Sequence, residues 1–197
     1  AEARKKLGID DSIDLVTLSF GGSLGAQELN RAACEMMSHF AREGKQNVRC
    51  YHVGGKRHYE NACNFFAAYG LERDDRFVLM EYTSELPVYM AAADIVICRA
   101  GASSLSEIQA MGKPSILVPY PYAAENHQYH NAMVLVERGA AICIEEKDLT
   151  ADTLWDAICR ATDDPAHLSE MGENSRGAAI LDADERIMTA LTDLLNQ

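Results

Sequence analysis

A doubly wound, parallel six-stranded α/β sheet is the fold class that this chain's pattern predicts, on three observations. Six short apolar, largely β-branched runs alternate with stretches of helical spacing along 197 residues. Glycine-rich turns follow directly on several of those runs, at Gly21-Gly22-Ser23-Leu24-Gly25, Gly54-Gly55 and Gly101. No linker, repeat or low-complexity segment interrupts the alternation, so residues 1–197 read as one domain.

The first strand is Asp14 to Phe20, and its glycine turn leads into a long helix from about Ala26 to Arg42. Leu29, Ala33, Met36, Met37 and Phe40 fall at the spacing of that helix's inner face, while Glu28 and Glu35 fall on a solvated one. Val48 to Val53 is the second strand, followed by Gly54-Gly55 and a helix through Phe65 and Phe66 to Gly70. Arg76 to Met80 is the third. Ser84 has the residue type of an N-cap for a short helix carrying Leu86, Val88, Tyr89 and Met90. Asp94 to Cys98 is the fourth strand, and Leu105, Ile108 and Met111 mark a helix that stops at Gly112-Lys113-Pro114. Ser115 to Val118 forms the fifth strand. After a loop from Tyr120 to Glu125, a helix runs from about Asn126 to Arg138, with Gly139 closing it. Ala140 to Ile144 is the sixth strand. Thr150 caps a helix through Leu154, Ile158 and Cys159, and residues 165–197 are helical with breaks, the last helix spanning Ile180 to Leu195.

Composition narrows the function classes. Hydrophobic residues make up 48% and charged residues 24%, as in soluble globular proteins. A net charge of -12 and the lack of an evident basic face argue against a nucleic-acid partner. The six cysteines show neither a CxxC nor a metal-type spacing and read as reduced core thiols in a cytoplasmic setting. No apolar stretch approaches membrane-spanning length, and Ala1-Glu2-Ala3-Arg4-Lys5-Lys6 is no signal peptide, so membrane contact would be peripheral.

The chain is organised around Cys98-Arg99-Ala100-Gly101-Ala102-Ser103-Ser104-Leu105-Ser106-Glu107-Ile108. A strand, a tight glycine turn and a helix start leave backbone N–H groups and a positive helix end aimed at one spot, which suits a phosphate. Ser104-x-x-Glu107 equally fits a capping box, in which the carboxylate only ties down its own helix. The first turn lacks the G-x-G-x-x-G pattern, the second strand lacks the acidic residue of a dinucleotide site, and no P-loop is present. A nucleoside diphosphate held by two glycine turns fits better, with Glu107 accepting from both ribose hydroxyls. His127 and His130 share a helix face, but without a carboxylate or thiol partner they are a poor metal set. Arg99 could serve structure alone, as an ion-pair partner, and Tyr82 could be a core or rim aromatic.

Three runs carry a family resemblance: Gly21 to Ala26, Arg99 to Glu107, and Gly112-Lys113-Pro114-Ser115-Ile116-Leu117-Val118-Pro119. With Glu125-Asn126-His127-Gln128 and Asn131-Ala132 they resemble the MurG family, bacterial N-acetylglucosaminyltransferases that make lipid II from lipid I in peptidoglycan synthesis. The resemblance covers nearly the whole chain and implies the carboxyl-terminal, UDP-N-acetylglucosamine-binding half of a two-domain GT-B transferase. It implies that the acceptor-binding amino-terminal domain, with the general base, has no counterpart here, so that the isolated chain is inactive. Ser23, with Gly22 and Gly25, would lie by the diphosphate, as would Gly101, Ala102 and Ser103. Tyr82, where Phe is common, would stack on the uracil, and the Thr83 backbone would read its edge. Arg99 would sit near the phosphates or support the turn, Glu107 would hold the ribose, and His127 and Gln128 would bond the sugar hydroxyls. Position 127 often carries Gln in the family. No cofactor and no metal are implied; the partners are UDP-N-acetylglucosamine and, through the other domain, a lipid-linked acceptor at the inner face of the cell membrane. Two alternatives stand beside this: another GT-B relative, such as a UDP-sugar epimerase or a lipid glycosyltransferase, and a non-catalytic donor-binding subunit of a split transferase.

Overall fold

The computed structural model describes residues 2–195; Ala1, Asn196 and Gln197, the ends of the expected domain, lie outside them. The six strands are β1 (Leu15–Phe20), β2 (Val48–Val53), β3 (Phe77–Met80), β4 (Ile95–Cys98), β5 (Ser115–Leu117) and β6 (Ala141–Cys143). All pair in parallel, in the order β3-β2-β1-β4-β5-β6. This is the doubly wound arrangement that the sequence predicts, with strand ends trimmed by a residue or so where ladder bonds run out.

Because the strands are buried on both faces, consecutive side chains enter opposite cores. Ile95 and Ile97 join Leu29, Met36, Phe40, Phe66, Leu154 and Ile158 on one side. Those partners come from α2 (Gln27–Arg42), α3 (Tyr59–Ala68) and α7 (Ala151–Thr162). Val96 and Cys98 join Val16, Leu18, Met90, Leu105, Ile108 and Leu135 on the other. There the cover is α4 (Leu86–Ala92), α5 (Ala102–Met111) and α6 (His127–Glu137). The inner-face residues expected of α2 are all buried. Glu28 and Glu35, by contrast, are not simply solvated: Arg31 bridges both, and the Tyr69 hydroxyl donates to Glu35.

Three local expectations change. Ser84 is not the cap of α4; Glu85 occupies that position, and its N–H is taken by the Thr83 hydroxyl at 3.0 Å, which closes the turn one residue earlier. The Ser104–Glu107 capping box does not form, because α5 begins at Ala102 and Ser104 already lies inside it. The five-residue helix α1 (Glu2–Lys6) has no counterpart among the expected elements, being too short to show a period. It is held by Arg4, which pairs with Asp94 and donates to the carbonyls of Ile13 and Ala92, while Asp94 accepts the Val16 N–H. The remaining helices, α8 (Pro165–Gly177) and α9 (Ala183–Leu195), follow the sheet; none of α9's described residues is buried.

The two glycine turns beside β1 and β2 are interlocked. Gly25 has φ +84, and a Cβ on it would lie 2.0 Å from the Gly54 carbonyl oxygen; one on Gly55, at φ +81, would lie 2.1 Å from the Gly25 nitrogen. Gly25→Ala should therefore lower stability by about 1–3 kcal/mol for the backbone conformation alone, more with the collision. Thermal unfolding should show a Tm drop of roughly 2–4 °C per kcal/mol. Gly101→Ala, at a glycine whose Cβ would meet nothing within 4 Å, should lose much less. Equal midpoints for native chain and Gly25→Ala would mean that the turns separate freely.

Candidate functional site

The sheet order reverses between β1 and β4, whose crossovers leave in opposite directions, and their carboxyl ends frame a crevice. A cleft of about 650 Å³ opens there. One wall is the first glycine turn, Gly21 to Gly25, running into Ala26, Gln27 and Glu28; Arg57 and His58 stand beside it. The opposite wall is Arg99, Gly101, Ser103 and Ser104, with Tyr120, Gln128 and Glu146 closing the end.

Two helix starts point into this space without side-chain caps. The N-cap of α2 is Ala26 and that of α5 is Gly101, and neither makes a side-chain cap bond. The first intrahelical bonds run from Asn30 N–H to Ala26 and from Leu105 N–H to Gly101. The N–H groups of Gln27, Glu28 and Leu29, and of Ala102, Ser103 and Ser104, thus have no intrahelical acceptor. In α7 and α8 the same need is met by Thr150, in a capping box with Thr153, and by Asp164. Gly101 has an ordinary φ of -73, and the space where its Cβ would sit is open, so the missing side chain keeps the cleft floor bare. Donors from two helix ends over a bare floor suit an anion with several acceptor oxygens.

Of the residues singled out from sequence, the structure brings Gly22, Ser23, Gly25, Arg99, Gly101, Ser103 and Gln128 onto the cleft. Tyr82, Thr83, Ala102, Glu107 and His127 are not in its lining. Tyr82 is 53% exposed beyond β3, with Lys56 Nζ 4.7 Å from its ring centre. Glu107 projects from α5 into solvent, and Cys98 lies buried beneath the turn, its thiol pushed up to about 12 by desolvation. Arg99 is committed to structure: its guanidinium donates to the carbonyls of Val118 and Pro119 at 3.2 and 3.1 Å and pairs with Glu146. That ion pair fastens the β4 turn to the loops after β5 and β6.

Gln128 and His127 have one side of each side chain occupied. Gln128 Oε1 accepts from the Tyr120 N–H, which leaves its amide N–H groups to donate outward. His127 Nδ1 lies 2.9 Å from the Ala124 carbonyl, which can only accept, so Nδ1 carries a proton and donates there, leaving Nε2 facing outward. Among the described residues, no group of three His, Cys, Asp or Glu could hold a metal ion.

Arg57, His58, Ser104, Tyr120 and Glu146 line the cleft without having been expected there. Beneath them lies a buried polar chain. Asn30 Nδ2 donates to the carbonyls of Gly54 and His58, so its Oδ1 must accept, and it does so from His52 Nε2 at 3.0 Å. His52 Nδ1 is then bare and accepts a hydrogen bond from the Ser19 hydroxyl at 2.8 Å. Burial holds this imidazole neutral and lowers its pKa from 6.5 to about 4.

The comparisons with known proteins bear on this cleft. The Glycosyltransferase family 28 C-terminal domain matches residues 16–187, which include every element of the cleft walls. The chain belongs to that family. Among its curated relatives is the UDP-N-acetylglucosamine–N-acetylmuramyl-(pentapeptide) pyrophosphoryl-undecaprenol N-acetylglucosamine transferase of Acetivibrio thermocellus, 37% identical over 195 residues, 98% of this chain and 51% of that protein. The Desulforudis audaxviator protein of the same name is 40% identical over 89% of this chain and 47% of its own length. The chain thus spans about half the length of the curated relatives it matches. Acinetobacter baumannii MurG superposes with a TM-score of 0.75 at 25% identity, over 91% of this chain and 52% of that one. The S. aureus MnaA–UDP structure, at 14% identity and a TM-score of 0.74, shares the fold over 100% of this chain and 49% of that one.

A pH dependence follows from His52 in this family 28 domain. The unfolded chain takes up a proton near pH 6.5 that the folded chain resists down to about pH 4, so the group's contribution is complete above that window. It is lost as pH falls through the window, reaching about 3 kcal/mol at the acid end. NMR of the imidazoles should show His52 untitrated at pH 5.5 while urea midpoints already decline. An imidazole at position 52 titrating near 6.5 would refute the buried neutral assignment.

Proposed function

We propose that this chain is the donor-binding half of an inverting N-acetylglucosaminyltransferase that uses UDP-N-acetylglucosamine to convert lipid I to lipid II. The observation that carries the proposal is the convergence of two uncapped helix starts on a bare-floored cleft in a chain of family 28. The relatives named for that transfer are 37–40% identical. The epimerase reading is not favoured, since the likeness to a solved putative UDP-N-acetylglucosamine 2-epimerase from Listeria monocytogenes is at 14% identity and reaches only the fold.

In this proposal the diphosphate lies over the N–H groups of α2 and α5, with Ser23 beside it. Glu107 accepts from the ribose hydroxyls, Tyr82 and the Thr83 backbone frame the uracil, and Gln128 and His127 address the sugar. The acceptor hydroxyl attacks the anomeric carbon, the bond to the phosphate oxygen breaks, and its electron pair leaves with UDP. Backbone N–H groups already in place stabilise the charge gathering there without reorganising. The hydroxyl proton goes to a base on the half of the relatives' length that this chain does not span, which also holds the lipid-linked acceptor at the cytoplasmic face of the membrane. No helix among the described residues is long and apolar enough to cross that membrane.

Competition measured by ligand-observed NMR tests the base assignment: UDP should displace UDP-N-acetylglucosamine at concentrations where ADP does not. A backbone donor and acceptor fitted to a pyrimidine edge are left unpaired by a purine. ADP competing as well as UDP would sink the assignment. Glu107→Gln should weaken UDP by about 1.5–3 kcal/mol, roughly ten- to a hundredfold, through lost charge-assisted hydrogen bonds. Since Glu107 makes no cap bond, its thermal midpoint should stay near that of the native chain. Unchanged calorimetric affinity would remove Glu107 from the site.

A further inference from the structure

Charge in the cleft is unevenly spoken for. Of its four permanently charged side chains, Glu28 faces Arg31 on its own helix, and Arg99 and Glu146 are paired with each other. Arg57 remains, with no ion pair and no side-chain hydrogen bond among the described residues. Its backbone, in contrast, is held firmly. The Arg57 N–H donates to the Leu24 carbonyl at 3.1 Å, and the preceding Lys56 N–H donates to the Ser23 carbonyl at 3.2 Å. Asn30 fixes the carbonyls of Gly54 and His58 on either side of it. The adjacent cation is directed elsewhere, Lys56 Nζ lying over the Tyr82 ring.

We infer that Arg57 is a phosphate-binding residue of this cleft, a fork that meets the diphosphate from the α3 side while the helix starts meet it from β1 and β4. The inference rests on the donor reading above. Both phosphates of a sugar nucleotide are ionised near neutral pH, and two helix ends, each equivalent to about +0.5 charge, cannot offset them. Arg99 cannot supply the balance, because its guanidinium is already committed to Glu146 and the Val118 and Pro119 carbonyls. A planar guanidinium with parallel N–H groups matches phosphate oxygens in pairs, and its weak hydration makes it easy to bring against an anion. Interlocked glycine turns place this side chain on the same wall as Ser23, so it needs no loop closure to reach the ligand.

Calorimetric titration of UDP, UMP and inorganic pyrophosphate against the native chain, Arg57→Gln and Arg57→Lys is the test. Arg57→Gln should weaken UDP and pyrophosphate by about tenfold and UMP by clearly less, with Arg57→Lys in between. The thermal midpoint should not move, because the bonds that hold residue 57 are made by its backbone. Unchanged UDP affinity in Arg57→Gln would overturn the inference, and so would equal losses for UDP and UMP. A native chain that fails to bind UDP yet holds pyrophosphate through Arg57 would overturn the donor reading and leave Arg57 as an anion-binding residue. Failure to bind either would overturn both.

Discussion

The contact on which the cleft depends is made without side chains. At the carboxyl ends of β1 and β2, Gly25 and Gly54-Gly55 approach so closely that a single added carbon would stand 2.0 Å from a carbonyl oxygen. The approach lets Lys56 and Arg57 donate to the carbonyls of Ser23 and Leu24, stitching two loops into one wall. It also sets where α2 begins, and so where that helix's unpartnered N–H groups point. Asn30, one turn into α2, reaches back to the Gly54 carbonyl, and the buried His52 and Ser19 hold Asn30 in turn. A site built from backbone groups needs this kind of support, because its donors cannot be re-aimed by a rotamer.

Electrostatics reinforce the arrangement. The chain as a whole carries a formal charge of -12, yet the charged side chains of the cleft balance, Glu28 and Glu146 against Arg99 and Arg57, with Arg57 making no ion pair among the described residues and two helix starts adding their positive ends. The potential in a recess is governed by its nearest groups, and distant surface charge is screened within about 8 Å at physiological ionic strength. The acidic total therefore sets solubility and encounter, while the few groups at the switch point set what is held there.

Much of the fold could be read along the chain because parallel strands buried on both faces declare themselves as unbroken apolar runs, such as Ile95-Val96-Ile97-Cys98. The inner face of α2 was equally legible from its spacing. Caps were not. Ser84 and Ser104 have the residue type of a cap, but a cap is a dihedral angle and a free N–H, and neither is written in a side chain. Arg57 and His58 carry no motif that marks them for the cleft, because only the docking of the β2 turn onto the β1 turn brings them there. Conversely, the ligand roles of Tyr82 and His127 come from resemblance and that of Glu107 from its place one turn into a helix start, and all three stand outside the cleft lining. The role of Arg99 was open between ligand and structure; its two carbonyls and Glu146 show a guanidinium already engaged in structure.

The interlocked glycines divide the site into a part that can drift and a part that cannot. Exchange of Gly25 or Gly55 for any residue with a side chain pries the loops apart, whereas Ser23, Leu24, Lys56 and Arg57 on the same segments are exposed. Sequence change is thereby channelled into the side chains around a cradle of N–H groups that every amino acid except proline would reproduce. Under the donor reading proposed above, a lineage carrying this fold can explore new ligands without first losing the backbone cradle that would hold the anion.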